Sequence, residues 1–127
     1  MNLTDAKYGD FGLVRDMMAV TDVVESFDTQ QMRDVAAQIA LTGRLFMTGE
    51  GSSRIFPAKQ AIWQARRHGL ALATDTESAR QAQAYDLTGW AVFALSNSGR
   101  TAEVIQLFDQ LAEYNHPHRY SLTAFED

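Results

Sequence analysis

The sequence contains no cysteine, which excludes disulfides, thiolate chemistry and cysteine-ligated metal sites. The 127 residues include 11 Lys and Arg and 16 Asp and Glu, so the net charge is negative. The sequence therefore does not indicate the basic face that is typical of a nucleic-acid-binding protein. No apolar run approaches the length of a membrane span, and the first residues show no signal-peptide pattern. These absences predict one cytoplasmic domain that binds neither nucleic acid nor membranes.

The most informative stretch of the sequence covers residues 90–101. Residues 90–95 are continuously apolar, which is typical of a strand buried on both faces. Residues 96–101, called here the serine turn, are polar, and a helical apolar stripe follows over residues 104–111. The first N–H groups of a helix lack internal partners, and the helix dipole favours negative charge there. With the hydroxyls of Ser96, Ser98 and Thr101 beside those amides, the pattern favours a phosphate site, although Thr101 is equally suited to helix capping.

A second turn of this kind follows the first predicted strand, residues 44–48. Residues 49–53, called here the glycine turn, read Gly-Glu-Gly-Ser-Ser, and their glycines permit a tight turn and close backbone approach. The next helix should begin near Ser53, because Pro57 is tolerated only in a first turn. Arg54 stands where a dinucleotide fingerprint needs glycine, and no Gly-Lys-Ser/Thr of a P-loop follows.

The whole chain alternates between predicted strands and helices. Further strands are predicted over residues 70–74 and 119–124, with a short helix over residues 76–85, and residues 1–43 form an N-terminal helical lead-in. Such alternation predicts an α/β fold, a three-layer α/β/α sandwich with a parallel, flavodoxin-like sheet. In that strand order the first and third strands are neighbours, so the two turns should converge on one ligand at the carboxyl ends of the strands.

Two motifs resemble those of SIS domains, the sugar-isomerase fold. Residues 96–103, Ser-Asn-Ser-Gly-Arg-Thr-Ala-Glu, resemble the S-x-S-G-x-T-x-E signature, and the glycine turn resembles the family's G-x-G-S-S turn. The resemblance implies a phosphosugar-binding domain of an aldose–ketose or amino-sugar phosphate isomerase, or of a related deaminase, similar to the N-terminal part of a double-SIS protein. It implies no cofactor, and it implies phosphate contacts from Ser52, Ser53, Ser96, Asn97, Ser98, Gly99 and Thr101.

The resemblance covers only part of an SIS domain. SIS domains have five parallel strands and four are predicted here, so we expect residues 1–127 to be one incomplete SIS domain. SIS domains usually pair, which predicts a homo-oligomer or a second SIS domain as partner. An unpaired edge strand would also invite association.

Isomerisation needs a base that moves a proton between adjacent carbons. The candidates are Glu50 and Glu77, and each is also suited to a structural place in its turn. Glu103, in the first turn of its helix, is interpreted as favoured there by the helix dipole. The sequence therefore predicts a chain that binds a phosphorylated sugar but lacks a complete catalytic set. Two alternatives stay open: a sugar-phosphate-sensing regulatory module, and a flavodoxin-like FMN or nucleotide binder.

Two further sets of side chains are interpreted as structural. His116 and His118 flank Pro117 without a third metal ligand, and we expect them to be exposed loop residues. Trp63 and Trp90 lie in apolar patterns and are expected in the core rather than stacked on a sugar.

Overall fold

Four parallel strands form the centre of this computed structural model, which describes residues 5–9 and 11–124. The strands are β1 (Arg44–Gly49), β2 (Ala73–Ser78), β3 (Ala91–Ser96) and β4 (Arg119–Thr123). Their order in the sheet is β2-β1-β3-β4, and every neighbouring pair is parallel. The predicted parallel sheet, with its first and third strands adjacent, is confirmed.

Helices cover both faces of this sheet. The α-helices of the described residues are α1 (Gly12–Ser26), α2 (Arg33–Thr42), α3 (Ser52–Arg67), α4 (Ala79–Ala82) and α5 (Ala102–Glu113), and those that cover the sheet are α3, α4 and α5. The chain moves one way from β1 to β2, and the opposite way from β2 to β3 and on to β4. Because such crossovers are right-handed, α3 lies on one face of the sheet and α4 and α5 lie on the other. The architecture is the three-layer α/β/α sandwich that the sequence predicted.

The main core lies between the sheet and the pair α4 and α5. Phe46 and Val92 point to this face from the two central strands, and Leu107 meets them from α5. The other buried members of the cluster are Ala79, Ala82, Leu87, Ala94, Val104 and Leu111. All six residues of β3 are buried, as expected for a strand with helices on both faces.

The second strand departs from its prediction. The apolar residues 70–72 form a turn after α3, where the N–H of Leu72 donates to the carbonyl oxygen of Leu70. The strand β2 instead spans Ala73–Ser78, in which every residue after Ala73 is polar. The predicted helix over residues 76–85 shortens to α4, Ala79–Ala82. The reason is the position of β2 at the edge of the four-stranded sheet: none of its six residues is buried, so side chains on both of its faces can be polar.

Helix α3 also differs from expectation. It begins at Ser52, near the predicted start, but Pro57 lies in its second turn rather than its first. Trp63 is 47% exposed and carries the guanidinium of Arg67 over its ring, with the Arg67 Cζ 4.8 Å from the ring centroid. A core position is therefore wrong for Trp63, whereas Trp90 packs against the main core.

The chain divides into two compact units, Met1–Arg33 and Asp34–Asp127. The first unit contains a 3-10 turn (Ala6–Tyr8), α1 and a second 3-10 turn (Thr29–Met32). Every residue of α1 is at least partly exposed, including the two methionines at positions 17 and 18. Nearly all of α2 belongs to the second unit, although the sequence placed it in the lead-in of residues 1–43. Within the described ranges, no helix combines the length and apolar character needed to cross a membrane.

Candidate functional site

The glycine turn and the serine turn lie side by side at the carboxyl edge of the sheet. In the parallel pairing of β1 with β3, Thr48 is opposite Ala94 and Gly49 is opposite Leu95. The glycine turn leaves β1 at this level, and the serine turn leaves β3 one residue further on. The chain direction reverses between β1 and β3, so the two turns border the crevice in which open α/β sheets bind ligands.

Gly49 permits this close approach of the two strand ends. Its backbone has a φ of +146°, in the region that favours glycine. A Cβ at this position would clash with the carbonyl oxygen of Leu95, and it would also lie 3.4 Å from the Cβ of Arg54. The glycine therefore brings the start of the glycine turn against the end of β3.

The glycine turn leads directly into α3, whose N-cap makes no side-chain hydrogen bond. Gly51 is the N-cap and has no side chain to donate or accept, while its carbonyl accepts from the N–H groups of Arg54 and Ile55. Ser52 is exposed, Ser53 is half-buried, and the first turn of α3 contains no acidic residue. The first N–H groups of α3 thus lie beside two serine hydroxyls and beyond the reach of intrahelical acceptors.

At the other helix start, Thr101 stands at the N-cap of α5 but does not cap it. Its hydroxyl instead pairs with the hydroxyl of the buried Ser96, at an Oγ–Oγ1 distance of 2.9 Å. The choice between capping and another role, open from the sequence, is settled against side-chain capping in this structure. The pair closes the serine turn across its base and leaves the first amides of α5 without a hydroxyl cap.

The exposed tip of the serine turn is held from within and from β4. The N–H of Arg100 donates to the Ser98 hydroxyl oxygen at 3.1 Å, so the Ser98 hydrogen remains available for another acceptor. The carbonyl of Asn97 accepts from the N–H of Ala124, and Gly99 packs against Thr123, with the Thr123 Cγ2 3.4 Å from the place of a Cβ. The end of β4 therefore supports the turn that contains Asn97, Ser98 and Gly99.

The two candidate catalytic acids both interact on the β2 side of this edge. A carboxylate oxygen of Glu50 accepts from the backbone N–H of Arg80, at 3.3 Å, at the start of α4. A carboxylate oxygen of Glu77 accepts from the N–H of Ser78 at 3.0 Å and lies 3.9 Å from an Nη of Arg54. Both acids therefore have a structural role, and their assignment to catalysis stays a prediction.

Arg54 is the residue of this edge that the sequence reasoning missed. Its side chain is only 16% exposed, and one Nη donates to the Thr76 hydroxyl at 3.2 Å while the other faces Glu77. Its Nε is buried and has no hydrogen-bond partner among the described residues. The Thr76 hydroxyl in turn donates to the carbonyl of Met47, so the cation is tied to β1 and β2. The signal in the sequence that could have indicated Arg54 is a single basic residue in the first turn of the predicted helix, where basic residues are unfavourable.

The two histidines near β4 differ from their prediction. His116 is buried, not exposed: its Nε2 lies 2.9 Å from the carbonyl oxygen of Leu87, and the N–H of His118 approaches its Nδ1 at 3.4 Å. His118 is half-buried, with its Nδ1 3.3 Å from the hydroxyl of Tyr120. In residues 5–9 and 11–124, no group of three or more His, Asp or Glu side chains is arranged to hold a metal ion.

The sequence matches no protein-family model, and neither a curated protein nor a solved structure matches the chain. The assignment of a function therefore depends on the geometry of the two turns and on the chemistry of their side chains.

Proposed function

We propose that the crevice between the glycine turn and the serine turn binds the phosphate of a phosphorylated sugar, as expected for an SIS domain. The observation that carries this proposal is the adjacency of β1 and β3, which brings two hydroxyl-rich helix starts to one edge of the sheet. The ligating groups are the hydroxyls of Ser52, Ser53, Ser96, Ser98 and Thr101, with the amides of Asn97 and Gly99.

The state of the two helix starts supports an external acceptor. Neither Gly51 nor Thr101 provides a side-chain cap, although serine and threonine hydroxyls lie next to both helices. A phosphate has several acceptor oxygens and can take N–H and O–H donors from both turns at once. The Ser96–Thr101 pair keeps the Thr101 side chain away from the α5 amides, and one of its two hydroxyl hydrogens is left for the phosphate.

The charges around the crevice are compatible with an anion. The carboxylates of Glu50 and Glu77 both interact toward β2 and α4, away from β3, and Arg54 offsets the charge of Glu77. The carboxylate of Glu103 would disfavour anion binding, because Glu103 lies in the first turn of α5, close to the amides that would face the phosphate. Binding would therefore depend mainly on neutral donors and on the dipoles of α3 and α5.

The activity we propose for the complete protein is aldose–ketose or amino-sugar phosphate isomerisation, or a related deamination. Glu50 and Glu77 are the candidate acids of the chain, and both are already hydrogen-bonded within it. A base from another domain or subunit would complete the site. The chain would then hold the phosphate end of the sugar while the partner moves the proton.

We also propose that this domain pairs with a second copy or with a second SIS domain. Helix α3 exposes Phe56 and Trp63, and β4 forms an edge of the sheet. Exposed apolar side chains and an open strand edge both favour association. If the chain pairs with a second copy, the mass measured in solution by light scattering should be at least twice the 14.2 kDa of one chain.

A titration with fructose 6-phosphate, glucosamine 6-phosphate and inorganic phosphate tests the phosphate site. Binding to the native state should raise the melting temperature with ligand concentration. Ser98→Ala should weaken phosphosugar binding about 10- to 100-fold, because a hydrogen bond to a charged group contributes roughly 1.5–3 kcal/mol. Isothermal titration calorimetry gives the dissociation constants.

Ser26→Ala, which removes an exposed hydroxyl at the end of α1, is the matched control and should leave binding unchanged. Equal affinities of wild type and Ser98→Ala would contradict the assignment of Ser98. Absence of any stabilisation by the three ligands in the wild type would contradict the proposed phosphate site.

A further inference from the structure

A cavity lies near the amino ends of the strands, at the end of the sheet opposite to the glycine turn and the serine turn. It has a volume of about 400 Å³, within the range of small-molecule sites. One wall is the segment from α4 to β3, residues 82–88, and the other is the C-terminal half of α5 with His116. Because these segments precede β3 and β4, the cavity opens at the amino ends of the strands.

The floor of this cavity is apolar and well packed. Leu87, Leu107 and Leu111 line it, and all three are buried members of the main core. The Nε2 of His116 lies 2.9 Å from the carbonyl oxygen of Leu87, within hydrogen-bond distance. Because these leucines are only 1–6% exposed, they form a narrow apolar base, and Gln83, Thr88 and Gln110 supply polar groups around it. The cavity therefore suits a small ligand that has both an apolar part and a polar part.

Two tyrosine rings stand at the rim. Tyr85 is held edge-on by Phe46, with ring centroids 6.2 Å apart and an interplanar angle of 82°, so its orientation is fixed from the core. Tyr114 at the end of α5 is 74% exposed. Tyrosine faces carry partial negative charge and attract cations that approach them.

The only full charge that lines the cavity is negative. The N–H of Thr88 donates to an Asp86 carboxylate oxygen at 2.9 Å, and the hydroxyl and N–H of Thr88 together lower the pKa of Asp86 below its usual value. Asp86 is therefore ionised at neutral pH. None of the twelve described residues that line the cavity is Lys or Arg.

We propose that this cavity is a binding site for a small organic ammonium ion, with its charged end near Asp86 and the tyrosines and its apolar body on the leucine floor. The apolar floor, the aromatic rim and the single carboxylate together select for charge as well as for shape. An anion of the same size would meet Asp86 without a compensating cation. This site is separate from the proposed phosphate crevice, and either can be tested without the other.

Three probes with the same aromatic body separate charge from shape: phenethylammonium, 2-phenylethanol and 3-phenylpropionate. Each is titrated into the ¹⁵N-labelled chain and followed by amide chemical shifts. Phenethylammonium should bind about three- to fivefold more tightly than the alcohol, the size expected for one exposed ion pair with aromatic support, and the propionate should bind most weakly. The shifts should concentrate at residues 83–88 and at residues 110–116.

Asp86→Asn should reduce the affinity for phenethylammonium to that for 2-phenylethanol, and the asparagine oxygen can still accept from Thr88. Asp34→Asn removes the same charge from the first turn of α2 and serves as the control. Tyr114→Leu should weaken cation binding, whereas Tyr114→Phe, which keeps the ring, should not. Added salt should weaken binding of the cation more than binding of the alcohol.

Equal affinity for the ammonium ion and the alcohol would overturn the proposal, as would unchanged cation binding in Asp86→Asn. Chemical shifts centred on other parts of the chain, such as the exposed apolar residues of α1, would overturn it as well.

Discussion

Replacing Phe46 by alanine should lower the free energy of unfolding by about 3–5 kcal/mol. Phe46 is 1% exposed and lies in the middle of β1, where it packs into the cluster between the sheet and α5. Its ring also meets Tyr85 and Trp90 edge-to-face, with centroids 6.2 and 6.3 Å away. Alanine would leave a cavity that these neighbours cannot fill, because they are fixed by their own elements. Urea unfolding followed by circular dichroism measures the loss.

The matched control is Phe56→Ala on the outer side of α3. Phe56 is 73% exposed, so the same chemical change removes little buried surface and should alter the free energy of unfolding by less than about 0.5 kcal/mol. Similar losses in the two variants would contradict the placement of the core between β1 and α5. A smaller loss in Phe46→Ala than in Phe56→Ala would reverse the orientation of β1.

Buried strands were the part of the fold that could be predicted from the sequence. Residues 90–95 contain only apolar side chains, which suits a strand with helices on both faces, and β3 spans Ala91–Ser96. The polar strand β2 carried no such signal, since residues 74–78 were interpreted as a turn and residues 70–74 as the strand. Only the pairing with β1 places residues 73–78 in the sheet, and pairing is a long-range property.

The candidate site was predictable as a location and not as a set of contacts. The positions of the glycine turn and the serine turn follow from strand, turn and helix patterns, and strand order then makes them neighbours. The pairing of Ser96 with Thr101 and the contacts of Arg54 depend on side-chain geometry that spacing does not contain. The burial of His116 depends on a carbonyl 29 residues away in the chain.

Gly49→Ala should lower the free energy of unfolding by about 2–4 kcal/mol, through backbone strain and a steric clash together. The φ of +146° at Gly49 is unfavourable for any residue with a Cβ. The added Cβ would also clash with the carbonyl oxygen of Leu95, which is backbone and cannot rotate away. Relief requires the ends of β1 and β3 to separate. Urea unfolding measures the stability, and phosphosugar titration of the folded variant measures the site.

Gly69→Ala separates the two contributions. Gly69 follows α3 with a φ of +60°, and a Cβ there would meet nothing within 4 Å. Its replacement should cost only about 1–2 kcal/mol, the strain of a left-handed residue, and should leave phosphosugar binding unchanged. Equal stabilities of Gly69→Ala and Gly49→Ala would contradict the close approach at Leu95.

The binding readout of Gly49→Ala tests how the site depends on the fold. If the two turns form one phosphate crevice, separation of the strand ends moves the amides of α3 away from those of α5. A phosphate could then contact one turn at a time, and the loss of simultaneous contacts should weaken binding beyond the effect of Ser98→Ala. Unchanged binding by folded Gly49→Ala would mean that a single turn holds the ligand. The glycine at position 49 would then be needed only for the pairing of β1 with β3 and not for ligand binding.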